Sequence, residues 1–251
     1  MIRVERGSEP DGFSSRAADW RGRFKEARKH KPDLTASQFW SSIRAQVRAD
    51  AEALYAAFHG KCAYCEAKPA HVSSPQIEHY RPKKKFPDLT FDWHNWFLSC
   101  GRCNQKKWAH FPDCDGQPCL LDPTAEDPSE HLDFLRARVL ARTHRGEETI
   151  KLVGLDRSPL EDDRAEWLVK IHTLLLLWRW VPDVSREARE LLIWAMQADA
   201  PYAAMTRCYL QKITPRFANP ETPHAIVTPH DPRERLASLV EQFTDQLREL
   251  I

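Results

Sequence analysis

Net charge is almost absent from this sequence: 37 Lys and Arg stand against 36 Asp and Glu, a formal charge of +1 over 251 residues. No global attraction to a polyanion follows, so any nucleic-acid argument must come from local charge. Missing too is an apolar stretch able to cross a bilayer. The most apolar segment, TLLLLWRWV at 173 to 181, is short and close to charges, well below the ~20 apolar residues of a spanning helix. The opening MIRVERGSEPDGF has no apolar run after its first positive charge; no signal peptide is expected, and the expected location is cytoplasmic. Internal repeats and low-complexity tracts are lacking.

What is present is globular. Residues are 42% hydrophobic, 10% aromatic and 29% charged, which excludes bulk disorder and a fibrous chain. A chain of this length buries about 70–75% of its extended surface, so a core needs no crosslinks. The seven cysteines are odd in number, and a reducing compartment argues against a disulfide framework.

The pattern divides the chain into three. Residues 1–60 read as a charged arm over 1–34 with one short helix at most, anchored by Phe13, Trp20 and Phe24, and then one long helix. That helix starts at Thr35 with Gln38 as a capping box and stops at Gly60. Residues 61–123 form a compact module dense in Cys, His, Asn, Pro and aromatics. Residues 124–251 read as a β-hairpin, with strands about 134–141 and 149–155, followed by helices. Ser158 and Pro159 open the first of these, which ends near Trp180; others cover about 185–198, the stretch after Pro201, and Pro232 to Leu250. The first is apolar on nearly all sides from Trp167 to Trp180, as the central helix of a C-terminal bundle or partly a partner interface, with burial in the bundle favoured.

Chemistry concentrates in the central module. Cys62 and Cys65 form one CxxC, and Cys100 and Cys103 another, with 34 residues between the pairs. Two such knuckles can set four thiolates tetrahedrally around a structural zinc, leaving no open position for water. A redox pair or four unrelated cysteines are the competing readings. Cys114 and Cys119, spaced by five, fit no common knuckle and read as packing residues ahead of a second metal site. Residues 61–110 hold nine Lys or Arg (Lys61, Lys68, Arg81, Lys83, Lys84, Lys85, Arg102, Lys106 and Lys107) against four acids. That local excess suits a phosphate track, although three consecutive lysines also make an ordinary solvated loop. His94 and His110 read as structural or exposed.

Between and after the knuckles run Glu78–His79, then Asn95 ahead of a short apolar segment, then Asn104 and Lys107. This order and spacing resembles the HNH endonuclease family over about the central quarter of the chain. The resemblance implies a ββα-metal module within an α+β, mostly helical fold, stapled by a zinc site of four cysteines and followed by a helical C-terminal bundle. It implies His79 as general base, Glu78 and Asn104 as ligands of a catalytic magnesium or manganese ion, and Asn95 as the residue that holds the loop and orients His79. Arg81, Lys83, Lys84, Lys85, Lys106 and Lys107 are the expected nucleic-acid contacts. Two positions depart from the pattern: Glu78 stands where Asp is more frequent, and Trp96 where Leu is usual.

The residues alone support the same chemistry, since phosphodiester cleavage needs a base near neutral pKa and a hard cation to take up charge. A softer, whole-chain resemblance is to the HNH proteins encoded beside an ATPase in bacterial anti-phage systems, the Septu PtuB type and a related retron effector. It is carried by MIRVERGSEP, CAYCE, IEHYRPK, LLDP and TIKLVGLDRSPLEDDR. It implies an ATPase partner and a DNA substrate, with RNA as a further possibility. The rival reading is a zinc-stabilised, non-catalytic module that binds nucleic acid or protein.

Overall fold

A computed structural model of the chain describes residues 1–68 and 76–214; the Pro-rich stretch after 215 and the last expected helix lie outside these. The fold is α+β and mostly helical. It divides into one unit of Met1–Leu132 with Leu140–Leu155, and a second of Asp133–Val139 with the residues from Asp156 onward.

In the first unit, helix α1 (Phe13–His30) buries Phe13, Ala17, Trp20 and Phe24, a stripe at helical spacing. At 18 residues it is longer than the short helix expected in the arm from sequence. Ala17 completes a face that the three aromatics alone leave sparse, and Arg16 pairs with the buried Asp50. The single long helix also resolves differently, as α2 (Ala36–Ser42) and α3 (Arg48–Ala57). Its capping box forms as expected between Thr35 and Gln38. At its end Ser41 and Ser42 turn their hydroxyls back onto the carbonyls of Ser37 and Phe39, at 3.0 and 2.7 Å, a competition with backbone pairing that favours a break. Gly60, at φ 65°, ends the second helix, its N–H reaching the Tyr55 carbonyl at 2.8 Å.

Strands β1 (Gln76–His79) and β2 (Trp96–Ser99) pair antiparallel, with Glu78 opposite Phe97 and His79 opposite Trp96. Helix α4 (Gly101–Lys107) follows at once. Around this unit Phe13, Trp20, Phe39, Trp40, Phe91 and Trp96 interlock at ring-centroid distances of 5.0–6.4 Å. β3 (Asp113–Cys114) and β4 (Gln117–Pro118) make a small hairpin. Asp115 and Gly116 turn it, both at positive φ as its tight two-residue turn requires. Cys114 and Cys119 close it with a disulfide, where the sequence suggested packing residues.

A second hairpin, β5 (Leu132–Leu135) and β6 (Arg138–Ala141), carries the boundary between the units. The expected partner strand near 149–155 is instead helix α5 (His144–Val153). Thr149, Ile150 and Val153 have the β-branching of a strand, yet they are buried at helical spacing, with Thr143 capping one end and Gly154, at φ 64°, the other. Arg145 forks onto Glu126 at 2.7 and 2.8 Å, which holds this helix to the preceding loop.

The second unit contains α6 (Ser158–Trp180), α7 (Pro182–Ala195) and α8 (Ala203–Ile213). Leu160, Trp167, Ile171 and Leu174 of α6 are buried, and the Trp167 indole donates to Thr206 Oγ1 of α8 at 3.0 Å. Val169, Leu176 and Trp180 of the same helix stay exposed, so burial covers only part of its apolar circumference. No described helix is long and apolar enough to cross a membrane.

Candidate active site and metal centre

The two knuckles meet. The first is a tight turn in which Glu66 N–H reaches the Cys62 carbonyl at 3.0 Å and Cys62 N–H the Ala67 carbonyl at 2.9 Å. Ala63 N–H, at 2.8 Å from the Leu98 carbonyl, ties it to β2. The second knuckle opens α4, with Cys100 as its N-cap. All four cysteines are buried, and their sulfur atoms lie within 4.8 Å of one another. Cys65 and Cys100 Sγ are 3.8 Å apart, which matches the ~3.8 Å edge of a tetrahedron built on Zn–S bonds of about 2.3 Å. The donor set therefore fits zinc. Burial pushes the Cys62 thiol well up, so a cation is what would make thiolates favourable here.

Alternation along β1 sends Glu78 and His79 to opposite faces. His79 is buried against the edge of Trp40 from α2, with centroids 4.6 Å apart. Its Nε2 lies 2.9 Å from the Thr90 carbonyl, an acceptor only, so this nitrogen carries the proton and Nδ1 keeps its lone pair. The Lys83 ammonium stands 3.1 Å from Nδ1. Burial, with the Lys83 charge second, holds the imidazole well below its ordinary pKa, so it is neutral at neutral pH. Trp96 Nε1 donates to the same Thr90 carbonyl at 2.8 Å. Asn95 holds the loop between the strands: Oδ1 accepts from Arg81 N–H at 2.7 Å, while Nδ2 donates to the Arg81 and Leu89 carbonyls at 3.0 Å each.

On the other face, β1 and α4 are joined by two rungs. Asn104 Nδ2 donates to Gln76 Oε1 at 2.7 Å, and Lys107 pairs with Glu78 while donating to the His79 carbonyl at 2.9 Å. Burial raises the Glu78 carboxyl and lowers the Lys107 ammonium, each shift opposed by the partner's charge. The Lys107 ammonium lies on Glu78 Oε1. With the Asn104 amide nitrogen spent on Gln76, Asn104 offers its Oδ1. Glu78 and the Asn104 Oδ1 are hard oxygen donors of the type magnesium or manganese takes, and Lys107 already neutralises Glu78.

Residues 62–109 match the family model described as HNH endonuclease. The chain carries an HNH endonuclease domain. It is similar to the Septu protein PtuB of Bacillus mycoides (strain KBAB4), 30% identical over 197 residues, 66% of each chain. To the Septu protein PtuB of Bacillus thuringiensis it is 32% identical over 100 residues, 39% of this chain and 38% of that protein. The chain thus spans less than two thirds of the length of each.

Around the HNH domain the expected phosphate contacts separate into groups. Lys84, Lys85 and Lys106 are exposed. Arg81 is partly covered, its guanidinium over the rings of Phe86 and Phe111 at 5.4 Å each. Lys83 faces His79. Lys107 departs from expectation: it is fully buried, because its ammonium is spent on Glu78 and the His79 carbonyl, so it is no surface contact. His94 and His110 are exposed. Gln76, Trp40 and Thr90 belong to the site without having been anticipated. Trp40 lies outside the motif, and Thr90 acts through its backbone, which no side-chain pattern reveals.

Proposed function

We propose that this protein is a metal-dependent endonuclease that hydrolyses phosphodiester bonds, with DNA as the first substrate to test and RNA as the second. His79 takes a proton from the attacking water on Nδ1, while the Thr90 carbonyl holds the opposite N–H and fixes the ring's tautomer. A new P–O bond forms as the bond to the leaving oxygen breaks. Lys83 donates to Nδ1 in the free protein; an incoming phosphate is the stronger acceptor and draws the ammonium away, uncovering the base. A divalent ion, held by Glu78 and Asn104, would supply charge neutralisation on the phosphate oxygens. Asn95 keeps the loop, and with it Thr90, in place.

The observation that carries this reading is the neutral His79 imidazole, oriented by a carbonyl and backed by an HNH family match. The Glu78–Lys107 pair favours the rival reading, a non-catalytic module, because an ammonium already neutralises that carboxylate. Plasmid and tRNA cleavage with magnesium or manganese decides between them. His79→Ala is expected to lose at least about a hundredfold in rate while keeping its fold by circular dichroism; equal cleavage by both proteins would end the assignment. Likeness to the two PtuB proteins further supports a role as nuclease subunit of an anti-phage system with an ATPase partner, tested by co-purification with the neighbouring gene product.

A further inference from the structure

Helix α4 ends on Trp108, whose backbone sits at φ 48° and ψ −124°. A Cβ is crowded in that region, which glycine enters readily, so a tryptophan there has a folding cost. Burial does not offset it. Trp108 is 72% exposed, the most of any large hydrophobic side chain among the described residues. A strained backbone that presents an indole to solvent adds nothing to the core and points to a ligand.

The surroundings define the ligand's chemistry. Trp108 N–H donates to the Asn104 carbonyl at 2.9 Å, one helical turn, ~6 Å along the axis, from a candidate ion ligand. The preceding residue, Lys107, reaches the His79 carbonyl. Arg102 and Lys106 are exposed on the same helix. Lys85 donates to the Phe111 carbonyl at 3.4 Å and Arg81 lies over the Phe111 ring, which joins the basic 81–85 loop to the segment after Trp108. An open π face at the end of a helix that carries exposed cations suits a strand whose phosphates follow the charges and whose base lies flat on the indole.

We propose that Trp108 is a stacking platform for an unpaired base of a single-stranded nucleic-acid segment, at the end of the helix that carries Asn104. The substrate class rests on the nuclease reading, but the contact does not require cleavage. Because a base inside a duplex has no free face, this platform selects looped, frayed or single-stranded segments over intact duplex.

The test is binding by full-length protein carrying His79→Ala, read as fluorescence anisotropy. The probes are labelled oligothymidylate, labelled oligouridylate, and the same strands with abasic sites in place of bases. The parent is expected to prefer the base-bearing strands, the two sugars distinguishing DNA from RNA as the source of the base. Trp108→Ala is expected to weaken binding to them about tenfold or more, leave abasic binding unchanged, and be largely rescued by Trp108→Phe. Trp108→Gly is expected to show the same loss with a melting temperature no lower than the parent's. Undiminished binding by Trp108→Gly, an equal loss on abasic strands, or a lower melting temperature for Trp108→Gly would overturn the proposal. This binding pattern without cleavage by the wild type removes the nuclease reading alone; wild-type cleavage with binding indifferent to position 108 removes the platform alone.

Discussion

The Thr90 carbonyl accepts from His79 Nε2 at 2.9 Å and from Trp96 Nε1 at 2.8 Å. His79 and Trp96 are cross-strand partners, so two donors on one face of the β-pair converge on one acceptor and fix the imidazole between them. This gives a physical role to Trp96, which in sequence is only a departure from the family's Leu. Lys83 stands at the remaining ring nitrogen. Burial is the main cause that brings its pKa from 10.5 down to about 8, with the Glu78 charge opposing it. Between those two values the folded state binds fewer protons than the unfolded chain, so stability should rise with pH across the window. Below about pH 8 both states are protonated and the cost of burying the ammonium is fully present. Lys83→Met is therefore expected to flatten the rise, measured by urea denaturation at pH values spanning the window; an identical slope in the variant would assign the effect to another group. The same variant should cleave less, having lost the cation that meets the phosphate.

At the scale of elements, the N-terminal helix packs onto the residues that match the HNH family. Trp20 of α1 stacks on Trp96 at 6.3 Å and meets Phe91 at 6.2 Å. Trp20→Ala should therefore cost about 3–5 kcal/mol, seen as a lower denaturation midpoint, and should lower activity only in proportion to the unfolded fraction. Sequence revealed the two cysteine knuckles, the Thr35–Gln38 box, the Gly60 stop and the start of α6, because each is a short pattern with a fixed physical meaning. It misled where tertiary burial overrides local preference. Thr149, Ile150 and Val153 have strand propensity, but Thr149 Oγ1 donates to the Cys119 carbonyl at 3.1 Å and accepts from Leu121 N–H at 3.0 Å from within a helix. Asp115–Gly116 was a legible turn signal obscured by the neighbouring cysteines. Of the candidate site, the side chains were readable and the carbonyls that orient them were not; Lys107 looked like a surface cation because sequence alone cannot distinguish a buried ammonium paired with Glu78 from an exposed one.

For the whole molecule, the four-cysteine cluster serves one unit only. Cys62, Cys65, Cys100 and Cys103 all belong to the unit that contains Met1–Leu132, whereas α6, α7 and α8 belong to the other. The helical unit has its own buried residues, among them Leu160, Ile171, Leu174, Ala188 and Leu192. The first unit instead depends on a junction that pins two sequence-distant knuckles, and zinc binding to such a site is coupled to folding. Removing zinc with a chelator, or replacing Cys62 or Cys103 with Ser, should therefore unfold the first unit while much of the helical signal of the second persists. Far-ultraviolet circular dichroism during melting should then change from overlapping transitions to two separated ones, with the lower-temperature step accompanied by exposure of the Trp20–Trp96 cluster in fluorescence. Zinc content measured on the same samples must fall with that step. A metal-free variant that melts like the parent would show that the four sulfurs do not hold the unit together, and a single transition that removes all helix at once would show that the two units do not fold independently.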